Sequence, residues 1–588
     1  MKSIRILKYR KIYLLLAVFS LVTCTDDFLT RPPETSITED AFWKTTQDLQ
    51  VFVNQFYVSF PGFGSYDCGQ YFQDRNSDNM IPAVYDSRLA GLDITPTTGS
   101  SLIYTNIRSV NYFISKGEAL EVSEAQEPEK QALLGEGYFF RAFYYYDLLN
   151  KLGGVPWIDK VLTTESPELY SERDQRNITA DHIIADLDKA IELLKPATSG
   201  TPFRLNKEIA LAFKSRVALF EGTWEKYHSG TVFGAANGNA NKYLQLAMEA
   251  SKDIIDGKYG KTFSIYSTGH PEMDYFNLFN QSDLQNNNEI IFWKKYDVNL
   301  KVAHNCQRYL GITNPGVSRA LVDSYLCING RPISNSGGQY QGDNLPFDIY
   351  KNRDPRLKQI VYVKGDPLTI EFGDTVAVFD KGTIHLSGDA YCPTGYNAKK
   401  SRTPENSNKV QTTDFTSTQA AILFRFAEVL LNYIEAKAEL GTVTQADVDL
   451  TINKIRDRIG MAHLDINNII SDQKWDFPGL SPLINEIRRE RRNELACEGF
   501  RLDDIRRWRA HHLITGVKPL GIKFNQSDYP SLTDGVNIYI SDDGYVEPYG
   551  SVLPNGWAYK PDRDYLNALT LEELKLNNKL VQNPGWDK

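Results

Sequence analysis

The side chains best placed to do chemistry in this chain are rings and hydroxyl-binding polar groups, not nucleophiles. The stretch SYDCGQYFQDRNSDNM carries Tyr71, Arg75, Asp78 and Asn79, EIIFWKKYD adds Trp293 and Tyr296, and Tyr309 follows. An aromatic ring with one face open stacks on the apolar C–H face of a sugar, while carboxylate, amide and guanidinium groups beside it bind the hydroxyls. Catalytic patterns do not emerge. The eight His include no H-E-x-x-H, and neither G-x-S-x-G nor a P-loop occurs. With 74 acidic residues, some carboxylate pair falls within reach by chance, so counting acids makes no glycosidase. The reading is a binding protein with no cofactor and no metal-ligating residues assigned, with a glycoside hydrolase as the remote alternative.

Cys24 invites a different chemistry. Lys2, Arg5, Lys8, Arg10 and Lys11 precede the apolar run IYLLLAVFSLVT, which is shorter than the roughly 20 residues of a membrane span. It fits a secretory signal, residues 1–23. Leu21-Val22-Thr23-Cys24 resembles a bacterial lipobox, in which the Cys is acylated and becomes residue one; Thr23 stands where Gly, Ala or Ser is commoner. Residues 24–36, with Pro32-Pro33, suit an extended tether. Losing residues 1–23 takes the formal charge from −9 to −14. Such an acidic chain lacks the basic footprint that nucleic acid demands. Cys68, Cys306, Cys327, Cys392 and Cys497 are odd in number and far apart, without C-x-x-C, which argues against a disulfide framework or zinc site.

The elements that must position these groups are helical. Ser36-x-x-Glu39 is a capping box ahead of an apolar-periodic run. In QALLGEGYFFRAFYYYDLLNKLGG, Leu134, Tyr138, Ala142, Tyr145, Leu149 and Leu152 form one stripe, with Phe139, Phe143 and Tyr146 in a second. A helix apolar on two faces is sandwiched between neighbours, so Tyr144, Tyr145 and Tyr146 read as core. Gly153-Gly154 and Pro156 end it. NKEIALAFKSRVALFEG with KYLQLAMEASKDIIDGKY, and ILFRFAEVLLNYIEAKAELG with TINKIRDRIGM, repeat a pairing rich in small residues, as stacked helix–turn–helix units require. In EIRRERRNELACEGFRLDDIRRW the i, i+4 spacing predicts Arg–Glu pairs along an exposed face, each worth about 0.2–0.5 kcal/mol. Residues 58–100, 225–240, 260–420 and 520–560 fit no helix template, and NAKKSRTPENSNKVQTTDFTSTQ reads as a mobile surface loop. The expected fold is mostly α: a tetratricopeptide-like frame with long irregular insertions and little β.

In order along the chain these segments resemble the SusD/RagB family of nutrient-binding outer-membrane lipoproteins. The resemblance rests on DFLTRPPETSITEDAFWKTTQDL, YTNIRSVNYFI, RAFYYYDLLNKLGGVPWI, NRDPRL, LFRFAEVLLNYIEAKAELG and IRRERRNELACEGFRLDDIRRW. Ala568 and Leu569 depart from the family's closing Leu-x-Pro-Ile-Pro. It implies a SusD-like N-terminal helical-repeat region over 37–260 and a RagB/SusD C-terminal region over 261–588. It also implies a SusC-like TonB-dependent transporter as partner, oligosaccharide or polysaccharide as ligand, and a lipid-anchored, surface-exposed place on the outer membrane. Asp26 and Asp27 resemble the family's surface-export signal. Peptide capture, as in RagB-like members, is the alternative. Family sugar contacts include an Asn at the start of the helix after Tyr104, to which Asn106 is the nearest match; the usual Trp before that Tyr is Ser101 here.

Overall fold

The computed structural model describes residues 42–65, 68–200, 202–312, 315–344, 348–384 and 392–586. The expected signal, Cys24, the tether and the Ser36 capping box lie outside the described residues. Six helices build the first part of the frame: α1 (Thr46–Val53), α2 (Thr105–Ala119), α3 (Glu127–Leu152), α4 (Arg176–Leu193), α5 (Lys207–His228) and α6 (Ala240–Ile255). Four more complete it from beyond residue 260: α7 (Phe426–Glu439), α8 (Ile452–Arg458), α9 (Pro482–Glu494) and α10 (Arg501–Arg507). Helices α2 to α6 each pack on the next, then α7 packs on α6 and α9 on α7. This is the stacking expected of a helical-repeat frame.

Local chemistry explains the elements. Pro128 sits in the first turn of α3 with Glu127 and Glu129, where a missing N–H costs nothing and negative charge meets the positive helix end. At the other end Gly153 takes φ +80° and donates its N–H to Leu149 O at 2.9 Å. Asn206 caps α5 by accepting from Ile209 N. Small residues mark the crossings. A Cβ at Gly137 would lie 2.9 Å from the Phe113 ring of α2, and one at Gly222 would lie 2.9 Å from Leu244 of α6.

The strands are few: β1 (Met80–Ile81), β2 (Ile290–Lys294), β3 (Gly316–Val317), β4 (Pro367–Glu371), β5 (Asp374–Val378) and β6 (Ala421–Arg425). They pair antiparallel as β1–β3, β2–β6 and β4–β5. β6 runs directly into α7 and so returns the chain to the frame. No helix among the described residues is long and apolar enough to cross a membrane.

Two expectations about irregular segments need correction. Residues 260–420 contain short helices, Cys306–Ile312, Arg319–Ser324 and Pro355–Ile360 among them, around a second core with Tyr325, Leu357 and Ile360 fully buried. The segment read as a mobile surface loop is anchored by Lys400, which is 1% exposed. Its ammonium donates to Tyr275 Oη, Ala496 O and Glu498 Oε1, each at 2.7 Å. A lysine in a polar stretch gives no hint that partners from two other segments surround it.

The Arg–Glu run is frame, but it is not exposed. Arg488, Glu490, Arg491, Arg492 and Glu494 are all buried. Their partners are mostly remote in sequence. Glu494 accepts from Arg425 at 2.7 Å, Arg458 at 2.6 Å and Arg356 at 3.0 Å. Glu435 of α7 takes Arg507 at 2.5 Å and the Trp508 indole at 2.7 Å. Burial alone would raise the Glu435 carboxyl, but Arg507, Arg491 and Arg488 hold it down to about 2. The i, i+4 rule finds charges on one helix; it cannot find a helix enclosed on every side.

Candidate functional site

A recess of about 430 Å3 forms a groove in the frame. One wall is the α3 face carrying Phe143, Asp147 and Asn150 at i, i+4 and i+7, with Tyr144 and Tyr146 beside them. Phe143 and Tyr146 are half-buried, and their rings are held by packing. Phe143 lies 5.2 Å from Phe60 and 5.6 Å from Phe213 of α5, and Tyr146 meets Phe213 edge-on at 5.5 Å. The 3-10 segment Gly69–Asn76 adds Gln70 and Gln73 to the lining, and β6 adds Leu423 and Phe424. Gly499 lets that segment approach: a Cβ there would meet Gln73 Oε1 at 2.9 Å and Gln70 O at 3.1 Å, and its φ is +83°.

The polar groups are fixed rather than free to wander. Asn150 Nδ2 donates to Asp503 Oδ2 at 2.9 Å, and Arg506 donates to Asn150 Oδ1 at 2.6 Å. Arg216 donates through Nε and Nη2 to the two carboxylate oxygens of Glu428, at 2.6 and 2.7 Å, and lies over the Phe424 ring at 4.3 Å. The Tyr144 hydroxyl shares a 2.7 Å hydrogen bond with Ser59. A second recess of about 100 Å3, bounded by Arg491, Phe500 and Arg507, shares Gln70, Gln73, Tyr146, Arg216 and Asp503 with the groove and so continues it. The composite is an aromatic surface bordered by amides, carboxylates and a guanidinium, on rigid helices. It suits a flat, hydroxyl-rich ligand, and its volume falls within the roughly 300–1,000 Å3 of small-ligand clefts.

A smaller cleft of about 150 Å3 opens among the insertions, between Tyr362 stacked on Phe379 and Tyr529. It has the right residue types but about half the smallest volume expected of a ligand cleft. No group of three or more His, Cys, Asp or Glu among the described residues is placed to hold a metal ion.

Comparison with known proteins agrees with this architecture. The model of the SusD family matches residues 276–586, and a model described as starch-binding associating with outer membrane matches 27–219. The chain belongs to the SusD family. SusD-like protein P2 of Formosa agariphila is 24% identical over 99% of this chain and 100% of its own. Among solved structures, a SusD-like protein of Bacteroides fragilis superposes with a TM-score of 0.68 at 22% identity, over 94% of this chain and all of that one. A SusD-like carbohydrate-binding protein of the same organism gives 0.67 at 21%, over 92% and 100%.

On this SusD-family frame the residues singled out from sequence do not form one site. Asn106, at the start of α2, is exposed and lines the groove. Tyr71, Arg75 and Tyr309 gather around Phe72 instead. The Arg75 guanidinium lies 4.3 Å over that ring, Tyr309 meets it edge-on at 5.3 Å, and Tyr71 does so at 5.5 Å. Tyr71 is itself buried, lining a recess of about 40 Å3 that shares Pro61, Gln70 and Leu423 with the groove. Asp78 is committed below the surface to Arg492 at 2.9 Å and Arg501 at 2.6 Å. Desolvation opposes its charge, yet those two guanidinium groups bring its carboxyl to about 2. Asn79, 1% exposed, donates to Asp74 and accepts from Arg492. Trp293 is 8% exposed and packs on Phe203. Tyr296 stacks on Phe63, and its hydroxyl accepts from Phe63 N at 2.5 Å. These side chains were singled out for being aromatic or polar beside a loop. The chain spends Asp78 and Asn79 on ion pairing and amide bonding, and Trp293 and Tyr296 on packing.

Sequence reasoning placed Tyr144–Tyr146 in the core, where Tyr144 and Tyr145 are buried and Tyr146 packs half-buried against the same cluster, but it gave no hint that Phe143, Tyr144 and Tyr146 also line the groove. Tyr145 is core, fully buried with its hydroxyl on Ile158 O at 2.9 Å. The signal that distinguishes its neighbours is Asp147 and Asn150: two polar residues on the same helical face as Phe143 mark where that face leaves the core.

Proposed function

We propose that the protein is a cell-surface glycan-binding lipoprotein. Anchored through acylated Cys24, it captures an oligo- or polysaccharide in the groove and delivers it to a SusC-like TonB-dependent transporter of the outer membrane, without cleaving it. The observation that carries this reading is the groove's lining. Half-buried rings of Phe143 and Tyr146 stand beside Asn106, Asp147, Asn150 and Gln73, so sugar faces and sugar hydroxyls both find partners. The words starch-binding in the matched family model, and carbohydrate-binding in the name of one solved relative, support the ligand class.

Affinity is expected to be modest, because an open groove buries limited area and must order a flexible chain. The test is titration of purified protein with glycan and peptide panels. Saturable glycan binding that weakens about tenfold in Tyr146→Ala, a loss of about 1.4 kcal/mol, measured below the variant's own melting temperature where circular dichroism shows it folded, supports the proposal. Binding confined to peptides assigns the groove to peptide capture, and release of shortened glycan by pure protein points to a hydrolase.

A further inference from the structure

The segment that lends Gln70 and Gln73 to the groove begins next to Cys68, and Cys68 is held against a part of the chain 238 positions away. Around it two segments clasp each other. Phe63 and Cys68 form a backbone bridge, Asn305 N donates to Gly64 O at 3.1 Å, and the Phe63 ring lies 4.9 Å from His304. Inside this clasp the Cys306 sulphur is 2.6 Å from the Cys68 sulphur. Both residues are buried, at 1% and 0% exposure. Two unbonded sulphur atoms repel at that separation, whereas a disulfide closes at about 2.04 Å.

We infer that Cys68 and Cys306 are joined by a disulfide in the exported protein, tying the groove's 3-10 wall to the helix Cys306–Ile312. The inference rests on the export reading of the N-terminus, since a structural disulfide needs an oxidising compartment. The bond forms during folding, before solvent leaves the two sulphurs. One thiolate attacks a disulfide-bearing oxidant, protein or small molecule, to give a mixed disulfide, and the second cysteine then displaces it. One sulphur–sulphur bond forms in the chain and one breaks in the oxidant. The two thiol protons and the electron pair leave with the oxidant, which departs as thiols. Parity argued against disulfides in the sequence, but one bond simply leaves Cys327, Cys392 and Cys497 as buried thiols. Burial pushes the Cys392 thiol up to about 11 and raises Cys327 and Cys497 as well, which keeps them unreactive.

The experiment is peptide mapping of the full chain, isolated from the cell envelope with thiols blocked by an alkylating agent and digested without reductant. The expected result is one cross-linked peptide holding Cys68 and Cys306 that separates on reduction and is missing from Cys68→Ser, while Cys327, Cys392 and Cys497 carry the alkyl label once unfolded. Alkylated Cys68 and Cys306 overturn the inference. The same mapping after refolding the purified chain in a glutathione redox buffer then locates the fault. If the cross-link is absent there too, the geometric argument is wrong; if it is present there but not in the envelope protein, the export reading is wrong. The wild-type map decides the matter even where the Ser variant folds poorly.

Discussion

Glu494 illustrates how much a single side chain of the frame carries. Three guanidinium groups converge on a carboxylate with no solvent access. A buried pair is weak evidence of net stability, but removing one partner strands the others and costs about 3–5 kcal/mol. Glu494→Ala should therefore lower the unfolding free energy read from denaturant titration by about 3–5 kcal/mol. Lys151→Ala, which breaks only the exposed i, i+4 pair with Asp147 at 2.8 Å, should cost under about 0.5 kcal/mol. Comparable losses in the two variants would mean that the network is not enclosed. At this scale the sequence was partly legible. Its charges were correctly assigned to structure rather than to an anion site, but their depth was not. Depth is set by Arg356, Arg425 and Arg458, and nothing in the spacing of residues 486–508 points to them. Several of the candidate binding residues prove buried or paired for a related reason. Asp78 looks like a free loop carboxylate until Arg492 and Arg501 arrive from more than four hundred residues away.

The helices were the most readable elements, because periodicity, caps and glycine stops are local. The end of α3 at Gly153, the pairing of α5 with α6 and the use of small residues at their crossing all follow from adjacent sequence. That crossing makes a sharp prediction. Alanine at Gly222 would gain up to about 1 kcal/mol of helix propensity. Its Cβ, however, would sit 2.9 Å from both Leu244 N and Leu244 Cγ, and the backbone nitrogen cannot move without shifting α6. Gly222→Ala should thus be net destabilising by about 1–3 kcal/mol, with Leu244→Ala unable to restore it fully. A stabilised variant in thermal unfolding would show that the two helices do not approach so closely. The insertions were less readable. Their short helices and two-residue strands have too little period to detect, and their core forms only when residues 275–361 meet 396–420 and 459–497.

At the scale of the whole molecule, the buried charges set the response to acid. Glu435 and Asp78 sit at about 2 in the fold against ordinary values of 4.5 and 3.8, and Glu494 is lowered too. A carboxyl lowered by folding stabilises the native state fully above its ordinary value and stops doing so as pH falls through its folded value. Asp74 and Glu225, raised by burial to about 6 and about 7, act in the opposite sense. Their contribution erodes stability as pH climbs from about 4 to 7. Stability against pH should therefore peak near about pH 4.5, falling towards pH 2 as Glu435, Asp78 and Glu494 take up protons and falling again towards pH 7 as Asp74 and Glu225 are made to ionise. Stability that stays level between about pH 4.5 and 2 would contradict the assignment of Glu435 and Asp78. Family and frame were legible at this scale, because ordered motifs extend along the entire chain. Anchoring is tested separately: Cys24→Ala should move the protein from the membrane fraction to the soluble one.

The groove was the least legible feature, since it lies where α3, α5, β6 and the 3-10 segment meet, and no one stretch of sequence contains it. It is also where the central claim stands: a rigid helical scaffold offers sugar a ring-lined, amide-bordered channel and performs no chemistry on it. The most direct measurement is calorimetric titration of the purified protein with a glycan panel, comparing wild type with Tyr146→Ala and analysing each ligand for cleavage afterwards. The account predicts saturable binding of at least one glycan, about tenfold weaker in the variant, with the ligand recovered intact. Undiminished glycan binding in a folded Tyr146→Ala protein, or recovery of shortened glycan, would contradict it.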